Sequence, residues 1–524
     1  MSTLTYILGL PLITAIALSF VPRTYRVIIR GAAVLACLCP ALLALKMFVQ
    51  YGTATAGPTG YKFEEQAGWV PALGIGYHVG VDGLNLGLIL MGSIVALAAA
   101  CVSWEIKERE KEFYILLLAM AGGILGAFAS LDLFMFYFFH ELALVPTFIM
   151  IGVWGHGQQK NYATFQITLY LSLGALIALA GLIALYVQSG AGTFDIPTLT
   201  TYLRQNPLSL GAQNFIFPLL LFGFGILVSL WPFHTWAPLG YGSAPTATAM
   251  LHAGVIKKFG LYGLIRVALP MLPQAAQSWM TVVAWLCLGN LVYCGWVAMR
   301  QRDFLWLIGY SSVAHMGFVF LGIATLSLVG ITGAVVVMVA HGFLAALTFA
   351  LSGFIYQQTG TLELDRFGGL LRRLPFIGGV LLAAAFAACG LPGFANFVGE
   401  ITVLFGAWKT FGPVTVLACW GGLIIGAVYM LRAVRQLLQG PQTEIANGLI
   451  DATNPWRKAP FVMLATALVI FGFFPRLLTD PIQPGVARIL EPFNGSATPL
   501  RAEAQAPSVV SQTSTRLVAG QVLK

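Results

Sequence analysis

The 524 residues are 58% hydrophobic and only 9% charged, with a formal net charge of +9. Such a chain cannot cover itself with a solvated, charged surface, so the composition excludes a soluble globular protein and indicates a polytopic membrane protein in a lipid bilayer. The basic residues stand in short connections between apolar runs and never form a block, which argues against nucleic acid as a partner and makes them topology signals.

About fourteen apolar runs of roughly twenty residues follow one another along the chain. The first, at 4–21, follows "MST" without a basic leader or a small-residue cleavage site, and is expected to be a retained span rather than a signal peptide. Runs at 31–50, 81–104, 113–130, 132–154 and 164–188 come next. The run at 214–236 passes into "SLWPFHTWAPLGYGSAP", where Pro232, Pro238 and Pro245 are expected to interrupt a helix. Further runs occupy 245–269, 279–299, 304–325 and 330–356. The run at 374–408 is too long for one simple helix, and "CGLPGFANFVGE" predicts a break at Gly390, Pro392 and Gly393. Runs at 413–438 and 459–475 end the series, and from 477 a composition rich in Pro, Ser, Thr, Gln and Ala predicts a flexible tail.

Two interrupted helices in comparable places within two groups of five spans are the pattern of an inverted-repeat transporter. The expected organisation is therefore three N-terminal helices (1–112), a first repeat (113–270), a second repeat (279–438), a last helix (459–476) and the tail (477–524).

Alternate connections differ sharply in charge. One set carries Arg23, Arg26 and Arg30, then Lys107, Arg109 and Lys111, and continues so through Arg457 and Lys458. The opposite set carries only Lys62, Arg204 and Lys409. The first set is expected in the cytoplasm, which puts both termini on the far side.

The seven cysteines sit in apolar runs with no CxxC pair, and there is neither a GxGxxG nor a GxxxxGK[ST] motif. No metal, iron–sulfur or nucleotide site is expected on this chain.

Against this apolar background, a few ionisable residues fall well inside spans. They are His140 and Glu141 in "FFHELALVP", His252, the adjacent Lys257 and Lys258 in "GVIKKFG", His315, His341 and Glu400. A charge at the bilayer centre costs roughly 2.5–3.5 kcal/mol even on the lenient insertion scale, so each needs an interior setting. A structural ion pair or a helix-packing hydrogen bond satisfies that need as well as a proton relay does. The set as a whole favours the relay, because burial disfavours a fixed charge on an acid or an amine and histidine exchanges protons near neutral pH unaided. Neighbours on a helix point about 100 degrees apart, so Lys257 and Lys258 cannot share one face.

Five segments carry a resemblance: "FYFFHELALVPTFIMIGVWG", "PFHTWAPLGYGSAPTATAMLHAGVIKKFGLYGLIR", "DFLWLIGYSSVAHMGFVFLGI", "VMVAHGFLAALTFALSGFIY" and "GLPGFANFVGE", with "GVDGLNLGLIL" before them. In that order they resemble the antiporter-like membrane subunits of respiratory complex I, most closely the subunit M or chain 4 type of NADH-quinone oxidoreductase. The resemblance covers about residues 70 to 475.

It implies an all-α, polytopic fold of about fourteen transmembrane helices with inverted five-helix repeats and broken helices seven and twelve. The implied activity is proton translocation coupled to quinone reduction elsewhere in the complex, in a bacterial-type inner membrane and beside other membrane subunits. NADH, FMN, iron–sulfur clusters and quinone would belong to partner subunits. By the same resemblance Glu141, Lys258, His315, His341 and Glu400 are the relay residues.

The chain departs from the family pattern at the usual lysine of broken helix seven, where Leu227 stands, and "WAPLGYG" replaces the usual W-L-P-D-A-H. Glu141 then loses its cationic partner, and Lys257 and His140 are candidate substitutes. The alternatives are an inactive first half-channel, or membership of a cation/proton antiporter or a membrane-bound hydrogenase.

Overall fold

The structure, a computed structural model, describes residues 2–494. Two helices, α1 (Thr3–Ser19) and α2 (Arg26–Gln50), precede an antiparallel hairpin of β1 (Lys62–Val70) and β2 (Ile75–Val81). Then come α3 (Gly83–Val102), α4 (Glu110–Ala129), α5 (Leu133–Trp154), α6 (Lys160–Ser189), the short α7 (Ile196–Gln205), α8 (Leu210–Val228) and α9 (Trp236–Ser243).

The next rod is helical from Thr246 to Met271 but changes pitch along its length. It runs as α10 (Thr246–Leu251), a π turn (His252–Ile256), α11 (Lys258–Gly263), a second π turn (Leu264–Ala268) and α12 (Leu269–Met271). The chain continues through α13 (Pro273–Leu288), α14 (Cys294–Arg300), α15 (Phe304–Ala324), α16 (Leu328–Thr359), α17 (Leu370–Arg373), α18 (Pro375–Ala388) and α19 (Ala395–Trp408). It closes with α20 (Gly412–Ala418), α21 (Gly426–Leu438), α22 (Glu444–Asn447), α23 (Pro455–Phe473) and α24 (Arg476–Asn494).

Among the described residues, 12 helices are long and apolar enough to cross a membrane, so the chain is a multi-pass membrane protein. Both expected interruptions are present. α8 stops at Val228, Ser229 takes a left-handed φ of 70°, and helix resumes at Trp236. α18 stops at Ala388, and Gly390 (φ 67°) and Gly393 (φ 102°) carry the chain to α19 through conformations that side chains disfavour.

Aspartates set several helix starts. Asp82 accepts from the backbone of Leu84 and Asn85 at the head of α3, and Asp132, Asp195 and Asp303 cap α5, α7 and α15 in the same way. Asp132 is thus a cap, and Arg266, also near a span end, makes a two-pronged pair with Asp82 at 2.6 and 2.7 Å.

Burial ranks the helices. α15 and α16 are almost wholly enclosed, while α1, α2, α6 and α23 turn more than half of their apolar residues outward, as lipid-facing helices do. Small residues bring α16 and α19 together: a Cβ on Gly399 would lie 2.8 Å from the backbone nitrogen of Val337, and one on Gly333 would lie 2.7 Å from that of Val403. That close approach delivers Glu400 to the centre of the bundle.

Two features depart from the sequence-based expectation. The β-hairpin and α7 lie in connections that hydropathy alone leaves without structure. The tail expected from 477 is helical as far as Asn494, because Leu478, Ile482, Val486, Ile489 and Leu490 recur at helical spacing and bury against the body. The rest of that tail, 495–524, lies outside the described residues.

Candidate functional site

The two adjacent lysines sit where a π turn hands over to α11, and both are fully buried. They diverge as the helical geometry requires. Nζ of Lys258 donates to the Ala253 carbonyl at 2.6 Å and lies 2.8 Å from Nδ1 of His341 on α16. Nζ of Lys257 donates to the carbonyl and hydroxyl oxygens of Ser312 on α15, both at 3.3 Å, and lies over the ring of Tyr241.

From His341 the row continues inward. Its ring centroid is 5.5 Å from that of His315, and Nε2 of His315 is 3.6 Å from Oε1 of Glu400. All three side chains are buried. His315 also bridges two backbone carbonyls, with Nδ1 facing that of Ser311 at 2.7 Å and Nε2 facing that of Ala388, the last residue of α18, at 3.2 Å. Both ring partners are acceptors, so the ring donates to both only when it carries two protons. Glu400 Oε1 has no hydrogen-bond partner among the described residues.

A small cavity beside the row is lined by Ser311, Ser312, His315, His341 and Thr348. Tyr429 of α21 donates to the Ser311 hydroxyl at 2.9 Å. Hydropathy gave no reason to single out these hydroxyls, since serine and tyrosine are common in membrane helices.

Glu141 is not part of this row. Its side chain is 31% exposed and lines an apolar pocket between α5 and α6 with Tyr137, Phe138 and Leu182. His140 Nδ1 is 3.6 Å from Glu141 Oε1, and the His140 ring stacks on Phe259, the residue after Lys258, at 3.9 Å between centroids. Of the two candidate substitutes, His140 is therefore beside Glu141, while Lys257 turns away toward α15. Leu227 is buried one residue before the end of α8.

His252 meets the hydroxyl of Tyr241 at 3.3 Å, and His234 meets the Pro232 carbonyl within the first break. Asn290, which sequence reasoning passed over, holds that break: Nδ2 donates to the carbonyls of Ser229 and Val313 at 2.9 and 3.1 Å, and Oδ1 accepts from the Trp231 amide at 2.8 Å. Among the described residues, no group of three or more His, Cys, Asp or Glu is placed to hold a metal ion.

The family described as "NADH:quinone oxidoreductase/Mrp antiporter, TM" matches residues 130–426, which contain every residue of the buried row. The chain belongs to this family. Among relatives, it is 34% identical to NADH-quinone oxidoreductase subunit M of Rhodobacter capsulatus over 444 residues, covering 83% of this chain and 86% of that one. It is 32% identical to the subunit M of Escherichia coli K12 over 472 residues, 88% of this chain and 92% of the other.

Among solved structures, a chain of respiratory complex I from Thermus thermophilus with bound NADH superposes with a TM-score of 0.83 at 28% identity, over 93% of this chain and 99% of that one. A chain of the Mrp complex from Dietzia superposes with a TM-score of 0.81 at 18% identity, over 93% and 97% of the two chains, a likeness of fold alone. The family thus supplies the architecture, and the matched region holds the buried row.

Proposed function

We propose that this chain is a proton-translocating membrane subunit of a NADH-quinone oxidoreductase. The observation that carries the reading is the buried row Lys258, His341, His315 and Glu400, in which base and acid follow one another across α11, α16, α15 and α19. The near-full-length likeness to subunit M relatives supports the choice of complex.

In this reading the Lys258 ammonium passes a proton to Nδ1 of His341, and the ring releases one from Nε2 toward His315. His315 then gives its Nε2 proton to the Glu400 carboxylate. That transfer also releases the Ala388 carbonyl, so protonation of the row and the geometry of the second break are linked. The row works as a relay because each member changes its charge by one on a single proton transfer. Glu141 with His140 forms a separate station toward the apolar pocket, without the lysine that Leu227 replaces. NADH oxidation, flavin, iron–sulfur clusters and quinone belong to partner subunits.

The Thr246–Met271 rod and the broken pair α18 and α19 also cross the membrane, which completes fourteen spans, ten of them in two five-helix repeats, 113–270 and 279–438. The lysine and arginine bias supports a topology with both termini on the non-cytoplasmic side of a bacterial-type inner membrane.

The test is purification through a tag on this chain from its own cells. The reading predicts that flavin- and iron–sulfur-bearing subunits and NADH-to-quinone activity come with it. Recovery with small membrane subunits alone, and intact NADH oxidation after deletion of the gene, would point instead to a cation/proton antiporter.

A further inference from the structure

On the outer surface of the bundle, α2, α3 and α23 enclose an apolar groove of about 700 Å³. Leu45, Phe48, Leu90, Ala467 and Ile470 form its walls. The residues come from the C-terminal part of α2, the N-terminal part of α3 and the C-terminal part of α23, so the groove occupies only the end of the bundle that carries the β-hairpin. On α3 it runs from Leu86 to Ile94. At the helical rise that is a depth of about 12 Å, close to half of a hydrocarbon core of about 30 Å.

A membrane-spanning helix from another subunit would need a groove the full height of the core. One leaflet's depth fits an acyl chain.

The mouth of the groove is charged. Arg476 and Asp480 both line it, four residues apart and so on one face of α24. Neither makes an ion pair among the described residues. An unpaired guanidinium and a carboxylate that, among the described residues, accepts only from the Thr479 hydroxyl at 3.3 Å, side by side among the lining of an apolar slot, complement a head group that carries a phosphate and an ammonium together. An anionic head group would satisfy the arginine and be repelled by the aspartate.

We infer that this groove is a binding site for a zwitterionic phospholipid of the ethanolamine type. One acyl chain lies between α2, α3 and α23, the phosphate meets Arg476 and the ammonium meets Asp480. The same lipid fastens α24 to the bundle on the face that carries the hairpin.

The experiment uses the intact complex containing this chain, washed in mild detergent, with retained phospholipid classes counted by mass spectrometry. Ethanolamine lipid should survive a wash that strips phosphatidylglycerol. Arg476→Ala and Asp480→Ala should each weaken its retention about tenfold, the loss expected for one charge-assisted hydrogen bond. Ala467→Trp, which fills the slot, should abolish retention; should that variant not assemble, the two surface variants decide the question.

Unchanged retention in Arg476→Ala and Asp480→Ala, or equal retention of phosphatidylglycerol, would overturn the proposal. A third readout is alkylation of an Ile470→Cys variant by a membrane-soluble maleimide. It should be slow with lipid present and fast after delipidation, and protection that persists after complete delipidation would mean that a protein covers the groove, which also overturns it.

Discussion

Nζ of Lys258 and Nδ1 of His341 lie 2.8 Å apart in the interior of the bundle, with the lysine also donating to the Ala253 carbonyl. A lysine whose neighbour is an imidazole nitrogen can surrender its proton without any change in fold. Lys257, its neighbour in sequence, faces a serine and an aromatic ring instead. The two should therefore behave differently when removed.

Lys258→Ala is expected to lower proton translocation about a hundredfold, the low end of what a positioned acid–base group contributes. Lys257→Ala should retain most of it. Dye quenching in vesicles, normalised to NADH oxidation, reads both, and equal losses would show that the divergence of the two side chains has no functional meaning.

Asn290 holds the first break as His315 holds the second, but it cannot titrate. Asn290→Ala leaves the Ser229 carbonyl and the Trp231 amide, both in the break, without this partner, while the Val313 carbonyl keeps its bond within α15. At roughly 1–3 kcal/mol for each buried group left unsatisfied, the variant should unfold at a clearly lower temperature. Thermal unfolding of the purified complex, followed at this subunit, checks it, and an unchanged midpoint would mean that the break is held by other contacts.

Gly390 bears on the second break. An alanine there would need a left-handed φ of 67° and would place its Cβ 2.8 Å from Oε2 of Glu400. The backbone cost is roughly 1–2 kcal/mol, and the carboxylate must move from its place beside His315. Gly390→Ala should thus impair translocation more than Gly379→Ala, where the added Cβ meets nothing within 4 Å. Comparable pumping by the two variants would dissociate Glu400's position from its role.

Outside the membrane, His78 of β2 bridges two carboxylates, with Nδ1 2.5 Å from Asp195 Oδ2 and Nε2 3.0 Å from Glu64 Oε1. Burial alone would push the imidazole down, but the bonds and charges of Asp195 and Glu64 outweigh it and hold the imidazole above its ordinary value. Burial likewise opposes ionisation of Asp195, and its bonds from His78 and Thr198 prevail and hold it low. The histidine's contribution is complete below a pH of about 6.5 and fades as pH rises through the folded value, while the aspartate's is present above about 3.9 and fades as pH falls. Hydrogen exchange of the hairpin amides should accordingly speed up, beyond the intrinsic base-catalysed trend, as pH is raised from mildly acidic to mildly alkaline. His78→Gln should remove that excess, and an identical pH response in the variant would assign it elsewhere.

The 12 long apolar helices and both breaks are legible in the sequence because hydropathy, proline and glycine act locally. The direction of each lysine was only half legible: helical geometry separates Lys257 from Lys258, but the π turn before them and the placement of His341 and Ser312 are tertiary facts. Lys257 was a candidate partner for Glu141 on the strength of its place in the motif, and the fold turns it toward α15 instead. The hairpin is not legible because "KFEEQAGWV" lacks clean alternation, nor is α24, whose three prolines resemble a tail unless the spacing of its apolar residues is weighed. Asn290 carries no sequence signal that separates it from any other polar residue in a span.

The measurement that tests the relay most directly is the number of protons moved per NADH oxidised by vesicle-reconstituted complex carrying Glu400→Gln, with assembly verified. Glutamine keeps the size of the side chain and removes its proton exchange. The account predicts a reduced ratio with the complex intact. A ratio equal to that of the unaltered complex would contradict it and would mean that protons cross without using Glu400.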